Sequence, residues 1–309
     1  MSDDLQRRWP GRGPWDEVWF LELSLPDGGS AWLRYTLADG PHRRGLTTWA
    51  IVTDPSRGAT WADQSHHRLS ALHPRDAVRT DELVLSRTQA RGHAGGCRWD
   101  LVLELGPRRH RMVPALVEAL GVGRTYAVPG LDLQLSGDLW AGDRHWKLDR
   151  CRAVLGHIWG ASNRTRGWAW CHAHFPGDDV LVECLAARLG PLPTLTSLGV
   201  WIGGEHLDLS GARHLLRART RVGATTLKVR TFTRTARIEL CAELPTEPRS
   251  VVRYLDPGDG GERTCTNSAR GRVELVVTRG DRVDRYLTDH AAFEVAERGR
   301  GTAAVLLSD

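Results

Sequence analysis

Trp99-Asp100-Leu101-Val102-Leu103-Glu104-Leu105 places a large apolar side chain at every second position, with Asp100 and Glu104 between them. Successive side chains of an extended strand point to opposite faces, so this period of two sets Trp99, Leu101, Leu103 and Leu105 on one face, against a core. The other face looks toward water or a cavity. The rhythm is repeated in Trp19-Leu21-Leu23-Leu25, interrupted by Glu22 and Ser24, and in Leu131-Leu133-Leu135, interrupted by Asp132, Gln134 and Ser136. It continues past the middle of the chain, where Val229, Thr231 and Thr233 interleave with Lys228, Arg230 and Arg234, and Val273, Leu275 and Val277 with Glu274 and Thr278. Asp27-Gly28-Gly29, Gly203-Gly204 and Asp256 through Gly261 separate the runs and supply the positive-φ positions that hairpins need. Many short strands with turn chemistry between them predict an all-β fold of barrels or sandwiches and argue against α/β.

Helical candidates are few. Pro114 to Leu120 reads as one short helix, and Asp179 to Leu189 as another, although its Val180-Leu181-Val182 start also suits a strand. The 309 residues allow two cores of ordinary size. Gly190-Pro191-Leu192-Pro193 interrupts the pattern, which divides the chain into an N-terminal unit of residues 1–190 and a C-terminal unit of residues 191–309. No internal sequence repeat is visible.

A formal charge of +5 raises the question of nucleic acid. The 42 basic residues, all arginine except Lys147 and Lys228, are scattered singly or in pairs and form no run of five, so no nucleic-acid partner is expected. Six cysteines without a CxxC pair indicate reduced thiols rather than a zinc knuckle or a disulfide framework. No window approaches the roughly 20 apolar residues of a membrane span, and the polar start lacks a signal-peptide core, so a cytoplasmic protein without a transmembrane segment is expected.

Chemistry concentrates between His157 and His174. Thirteen tryptophans offer large rigid walls with one hydrogen-bond donor each, and the densest group is Gly156-His157-Ile158-Trp159-Gly160 followed by Trp168-Ala169-Trp170-Cys171-His172-Ala173-His174. If the second segment is a strand, Trp168, Trp170, His172 and His174 share one face, aromatic and titratable together. Imidazole moves protons near neutrality, and indole faces stabilise carbocations. His172 and His174 at i, i+2, with His157 as a third ligand, also allow a metal, but no acid or cysteine stands at a diagnostic spacing and no metal is expected. Asn163, Arg164 and Arg166 lie in the loop between the two aromatic motifs.

The pairing of His157-x-Trp159-Gly160 with Trp168-x-Trp170 resembles the hydroxyneurosporene synthase family, the lipocalin-like AttH/CrtC proteins. The resemblance extends to Ser136-Gly137-Asp138, Tyr254-Leu255-Asp256-Pro257, Cys265-Thr266-Asn267-Ser268 and Phe293-Glu294. It implies two lipocalin-like antiparallel β-barrel domains with a ligand cavity at or near their junction. Members include carotenoid hydratases, which protonate a double bond and add water, and cofactor-independent cyclases and Diels–Alderases. His157 and Trp159 match the hydratase-type histidine and tryptophan. Where hydratases would place an acid near the paired tryptophans, this chain has Ala169, which counts against direct hydration.

The resulting expectation is a cofactor-free cyclase or isomerase of a hydrophobic polyene or isoprenoid-type substrate, with His157, Trp159 and His172 as catalytic residues. Trp168, Trp170, His174, Asn163 and Arg164 would bind the substrate. The alternatives are a non-catalytic carrier of a lipid or isoprenoid, since a barrel binds as readily as it catalyses, and a hydratase of an isoprenoid double bond. A hydrolase finds no support, there being no Gly-x-Ser-x-Gly elbow.

Overall fold

A computed structural model describes residues 4–73, 76–114, 118–119, 123–161, 165–190, 193–247, 249–299 and 307–308. Its strands form two sheets of 11 each. The first opens with a meander, β1 (Trp15–Ser24), β2 (Ser30–Asp39), β3 (Arg44–Asp54) and β4 (Ala59–His67). Short strands follow: β5 (Val78–Arg79), β6 (Val84–Leu85), β7 (Gln89–Ala94), β8 (Cys97–Glu104) and β9 (His110–Arg111). The long hairpin of β10 (Thr125–Ala141) and β11 (Arg144–Gly160) then brings β11 back to pair with β1.

The second sheet repeats this plan. Its meander is β12 (Gly167–Phe175), β13 (Val180–Arg188), β14 (Leu195–Ile202) and β15 (Glu205–Asp208), followed by helix α1 (Ala212–Arg217). After β16 (Arg219–Val222), β17 (Thr226–Phe232), β18 (Arg237–Glu243) and β19 (Ser250–Leu255), the long hairpin of β20 (Glu262–Arg279) and β21 (Arg282–Arg298) returns β21 to β12. A short β22 (Leu307–Ser308) adds to β19 in parallel. The duplication is one of topology. Alternating polarity fixes which face is apolar but leaves the choice of residue free, so the two halves need not share a sequence.

The change of sheet falls between Gly160 and Gly167, which places the Trp168-x-Trp170 strand in the second sheet, against β13 and β21. Gly190 and Pro193 flank the connection between β13 and β14, a hairpin within that sheet. The Asp179–Leu189 segment, open between helix and strand, is β13. Most of the Pro114–Leu120 helix candidate lies outside the described residues. Asp27-Gly28-Gly29, Gly203-Gly204 and the Asp256–Gly261 loop each close a hairpin, with Gly28, Gly203 and Gly260 at positive φ. Among the described residues no helix is long and apolar enough to cross a membrane.

Each sheet curls around its own core. Trp19, Leu33, Leu101 and Leu133 belong to the first, Phe175, Val200, Leu240 and Phe293 to the second. A third cluster fills the space between the sheets, built from the opposite faces of the same strands: Phe20, Trp32 and Trp49 meet Trp170, Leu181 and Val252. Strands β1 to β3 are therefore buried on both faces, and eight consecutive residues of β1, Asp16 to Leu23, are buried. Six large side chains withdrawn from water stabilise the contact between the sheets by on the order of 10 kcal/mol. Glu22, expected on an open face, lies in this contact and is 5% exposed.

Candidate functional site

A cavity of about 190 Å³ opens between the two sheets, well beyond the roughly 10–15 Å³ that one buried water occupies. The first sheet contributes Phe20, Trp32, Arg34 and Tyr126 to its wall, and the second contributes Trp168, Trp170, Tyr254 and Glu294. These positions follow from register. On β12 the odd residues Ala169, Cys171 and Ala173 enter the second core, so Trp168 and Trp170 face the first sheet.

Part of the wall is an ionic clasp across the sheets. Arg124 contacts Asp16 at 2.5 Å and Asp256 at 3.4 Å, Arg43 contacts Asp16 at 3.0 Å, and Arg263 stands 3.8 Å from Asp256. Elsewhere the wall is aromatic. Tyr254 stacks on Trp49 and on Trp168, and the Arg34 guanidinium lies over both Trp49, at 4.8 Å, and Tyr254, at 4.5 Å. Arg34 Nε donates to Thr36 Oγ1, and among the described residues the guanidinium has no salt-bridge partner.

Three carboxyls converge on this region. Glu294, on β21 opposite Trp170, accepts Trp168 Nε1–H at 2.5 Å and the Cys265 thiol at 3.4 Å. It sits deep in the protein yet keeps surface open to the cavity, and burial raises its pKa above the usual carboxylate range. Glu183, on β13 opposite His172, accepts Tyr126 O–H at 3.0 Å and Trp170 Nε1–H at 2.6 Å on one oxygen, while its other oxygen lies 2.8 Å from His172 Nδ1. Burial pushes Glu183 up to about 8 and His172 down to about 3. Both shifts disfavour the ion pair and favour the uncharged forms of the two groups. Glu22 is raised to about 8 by burial and then by the charges of Glu294 and Glu183. The arrangement can hold neutral carboxylic acids, potential proton donors, beside an aromatic chamber.

Of the residues singled out in the sequence, Trp168 and Trp170 line the cavity. His172 and His174 share their face, their rings 4.9 Å apart, but lie beyond the lining; His172 is buried and His174 half-buried. His174 is pushed down to about 3 by burial and by the neighbouring His172 and Arg152. Nε2 of each is buried without a hydrogen-bond partner among the described residues.

His157 and Trp159 lie on the other face of the first sheet, where only the intervening Ile158 reaches the cavity. His157 is fully buried, stacked on Trp19, with Nδ1 2.7 Å from the Asp4 carbonyl and Nε2 2.9 Å from Glu17. Trp159 donates to Glu118 at 3.2 Å. His157 therefore anchors the N-terminal segment, and both residues face away from the chamber. Asn163 and Arg164 lie outside the described residues.

Sequence reading passed over Glu183, Tyr126, Arg34 and Glu22, and noted Glu294 only within a resembling segment. The signal was a lone acid inside an apolar run, as in Val180-Leu181-Val182-Glu183-Cys184-Leu185 and Ala291-Ala292-Phe293-Glu294-Val295. Ala169 itself enters the second core, and the carboxyls nearest the paired tryptophans stand on the flanking strands, as Glu183 and Glu294.

No family model matches the chain, and no curated protein matches it in sequence. Solved structures do match. An AttH protein of Nitrosomonas europaea has a TM-score of 0.62 at 14% identity, with 96% of each chain covered. CghA with Sch210972 has a TM-score of 0.58 at 10% identity, covering 92% of this chain and 88% of that one. Kievitone hydratase from Nectria haematococca has a TM-score of 0.52 at 8% identity, covering 92% and 89%. These likenesses establish the fold. The chain has the lipocalin-like two-sheet architecture of the AttH-type structures, as the motif resemblance implied.

Proposed function

We propose that the chain is an enzyme that folds a hydrophobic, unsaturated small molecule into a reactive conformation between the sheets and promotes its cyclisation or isomerisation without a cofactor. The observation that carries this reading is Glu294, an acid disposed by burial to keep its proton, fixed by Trp168 and open to an aromatic cavity. A neutral carboxylic acid donates a hydrogen bond to a substrate carbonyl as charge grows there. In an isomerisation it gives a proton to one carbon and takes one back from a neighbouring carbon. Trp168, Trp170 and Tyr254 would face the intermediate cation. Holding a flexible polyene in one fold removes conformational freedom before the barrier, an effect worth up to about 7–11 kcal/mol in oriented reactions.

Hydration of an isolated double bond is a second reading, favoured by the same acid. Glu294 would protonate the alkene, water would add to the cation, and the proton released from that water would restore the acid. Solved structures of this fold include a kievitone hydratase and a complex with a small molecule, which supports both readings.

The test is to incubate the purified protein with linear trienes bearing a tethered dienophile, and separately with geraniol, following products by chromatography and mass spectrometry. Glu294→Gln should keep ligand-induced quenching of tryptophan fluorescence and lose at least about a hundredfold in turnover. Unchanged turnover in Glu294→Gln refutes the assignment, and binding without turnover in either protein identifies a carrier.

A further inference from the structure

His67, Glu82 and His93 come together away from the cavity, from three separate elements of the first sheet. His67 ends β4, His93 lies on β7, and Glu82 occupies the turn between β5 and β6. β4 and β7 are not hydrogen-bonded neighbours; they lie against each other where the sheet curls over its own core. One ligand atom from each of the three residues falls within 4.8 Å of the other two. Glu82 Oε2 is 3.2 Å from His93 Nε2 and 3.7 Å from His67 Nδ1. Bond lengths of about 2.0–2.1 Å around a tetrahedral zinc ion separate its ligand atoms by about 3.4 Å. The two separations lie on either side of that value.

The far nitrogens are already oriented. His93 Nδ1 faces Ser65 Oγ at 3.4 Å, and His67 Nε2 faces Thr48 Oγ1 at 3.4 Å. Thr48 donates its single hydroxyl hydrogen to the His93 carbonyl at 2.5 Å, so toward His67 it can only accept. The hydrogen of a neutral His67 therefore resides on Nε2, and the lone pair of Nδ1 points at the Glu82 carboxylate. Two acceptors facing each other leave a place for a proton, a bridging water or a metal ion, and a hydrogen-bond partner behind each imidazole orients its ring as metal-bound histidines are oriented.

We propose that His67, Glu82 and His93 form a binding site for a divalent transition metal of the zinc class, which fastens β4 to the β5–β7 segment. Two imidazoles and one carboxylate suit zinc and disfavour calcium or magnesium, which take oxygen ligands. Three protein ligands leave a fourth position for water, and Glu82, 65% exposed, gives the ion a path from solvent.

The test is calorimetric titration of ZnCl2 into chelator-treated full-length protein, with the thermal midpoint measured with and without the ion. One equivalent should bind and raise the midpoint, and Co2+ should give the intense visible bands of a tetrahedral site. His93→Ala should weaken zinc binding at least about tenfold, and so should Glu82→Gln, an exposed loop change that leaves the core intact. His66→Ala, which removes a ring facing Thr47 and outside the cluster, should leave binding unchanged. The proposal fails if the wild-type protein takes up no more zinc than a His67→Ala/His93→Ala double variant. It fails equally if folded Glu82→Gln and His93→Ala both bind with wild-type affinity.

Discussion

Raising the pH from 6.5 to 8 should destabilise this fold by about 2–3 kcal/mol. Glu22 and Glu183 have an ordinary value of 4.5 and are pushed up to about 8 in the folded protein, chiefly by burial. Between those limits the native state holds protons that the unfolded chain has released, so unfolding becomes easier as pH rises. The slope is about 1.4 kcal/mol per pH unit for each group. His172 and His174 act in the opposite sense over a lower range. Their values fall from 6.5 to about 3, so from pH 3 to 6.5 the unfolded chain binds more protons and stability rises with pH. At 6.5 the unfolded histidines are still half protonated and return a few tenths of a kcal/mol each as the pH rises further, so the carboxyls dominate the next one and a half units. Urea unfolding followed by tryptophan fluorescence, at pH 6.5 and 8 and constant ionic strength, measures the loss. Glu183→Gln should remove more than half of it, because the amide keeps an oxygen for Tyr126 and Trp170 and an N–H for His172 Nδ1 while removing one titrating group. A wild-type protein equally stable or more stable at pH 8 than at 6.5 would refute the reasoning, for it would mean that both carboxyls ionise inside the fold at ordinary cost.

Tyr126→Phe removes the 3.0 Å donor to Glu183 and should cost about 1–2 kcal/mol of stability, read from the urea midpoint at pH 6.5. His157→Ala leaves the buried Glu17 without its 2.9 Å partner and should cost about 3–5 kcal/mol. Because the imidazole faces away from the chamber, fluorescence quenching by a bound polyene should be unchanged in the fraction that remains folded. Gly156→Ala would place a Cβ 2.3 Å from the Phe20 ring, on a side chain that lines the cavity. The ring must move into the open space, at a cost of about 1–3 kcal/mol and with a measurable loss of ligand affinity.

The legible part of this protein was whatever alternation controls. Trp19-Leu21-Leu23 and Trp99-Leu101-Leu103 announced strands and the side that enters a core, and the glycine turns announced the hairpins, because a strand's period and a turn's positive φ are local properties. Local order also shows that Trp168, Trp170, His172 and His174 share a face. What that face meets is decided by pairing between β12, β13 and β21, and pairing is not local. His157 and Trp159 illustrate the limit: they lie near the Trp168 motif in sequence, but the change of sheet after Gly160 leaves them on the far face of the first sheet. The acids illustrate the converse. Glu183 is 11 residues from His172 and Glu294 is 126 from Trp168, yet each makes a direct hydrogen bond because antiparallel register sets them on adjacent strands. A carboxylate in the middle of an apolar run is the trace such pairing leaves. Burying an unpartnered charge costs far more than one strand position can recover, so an acid kept there implies partners supplied by another part of the chain. Glu22, Glu183 and Glu294 each occupy such a position, and Glu294, the one of the three that lines the cavity, marks the part of this fold where chemistry is best supported.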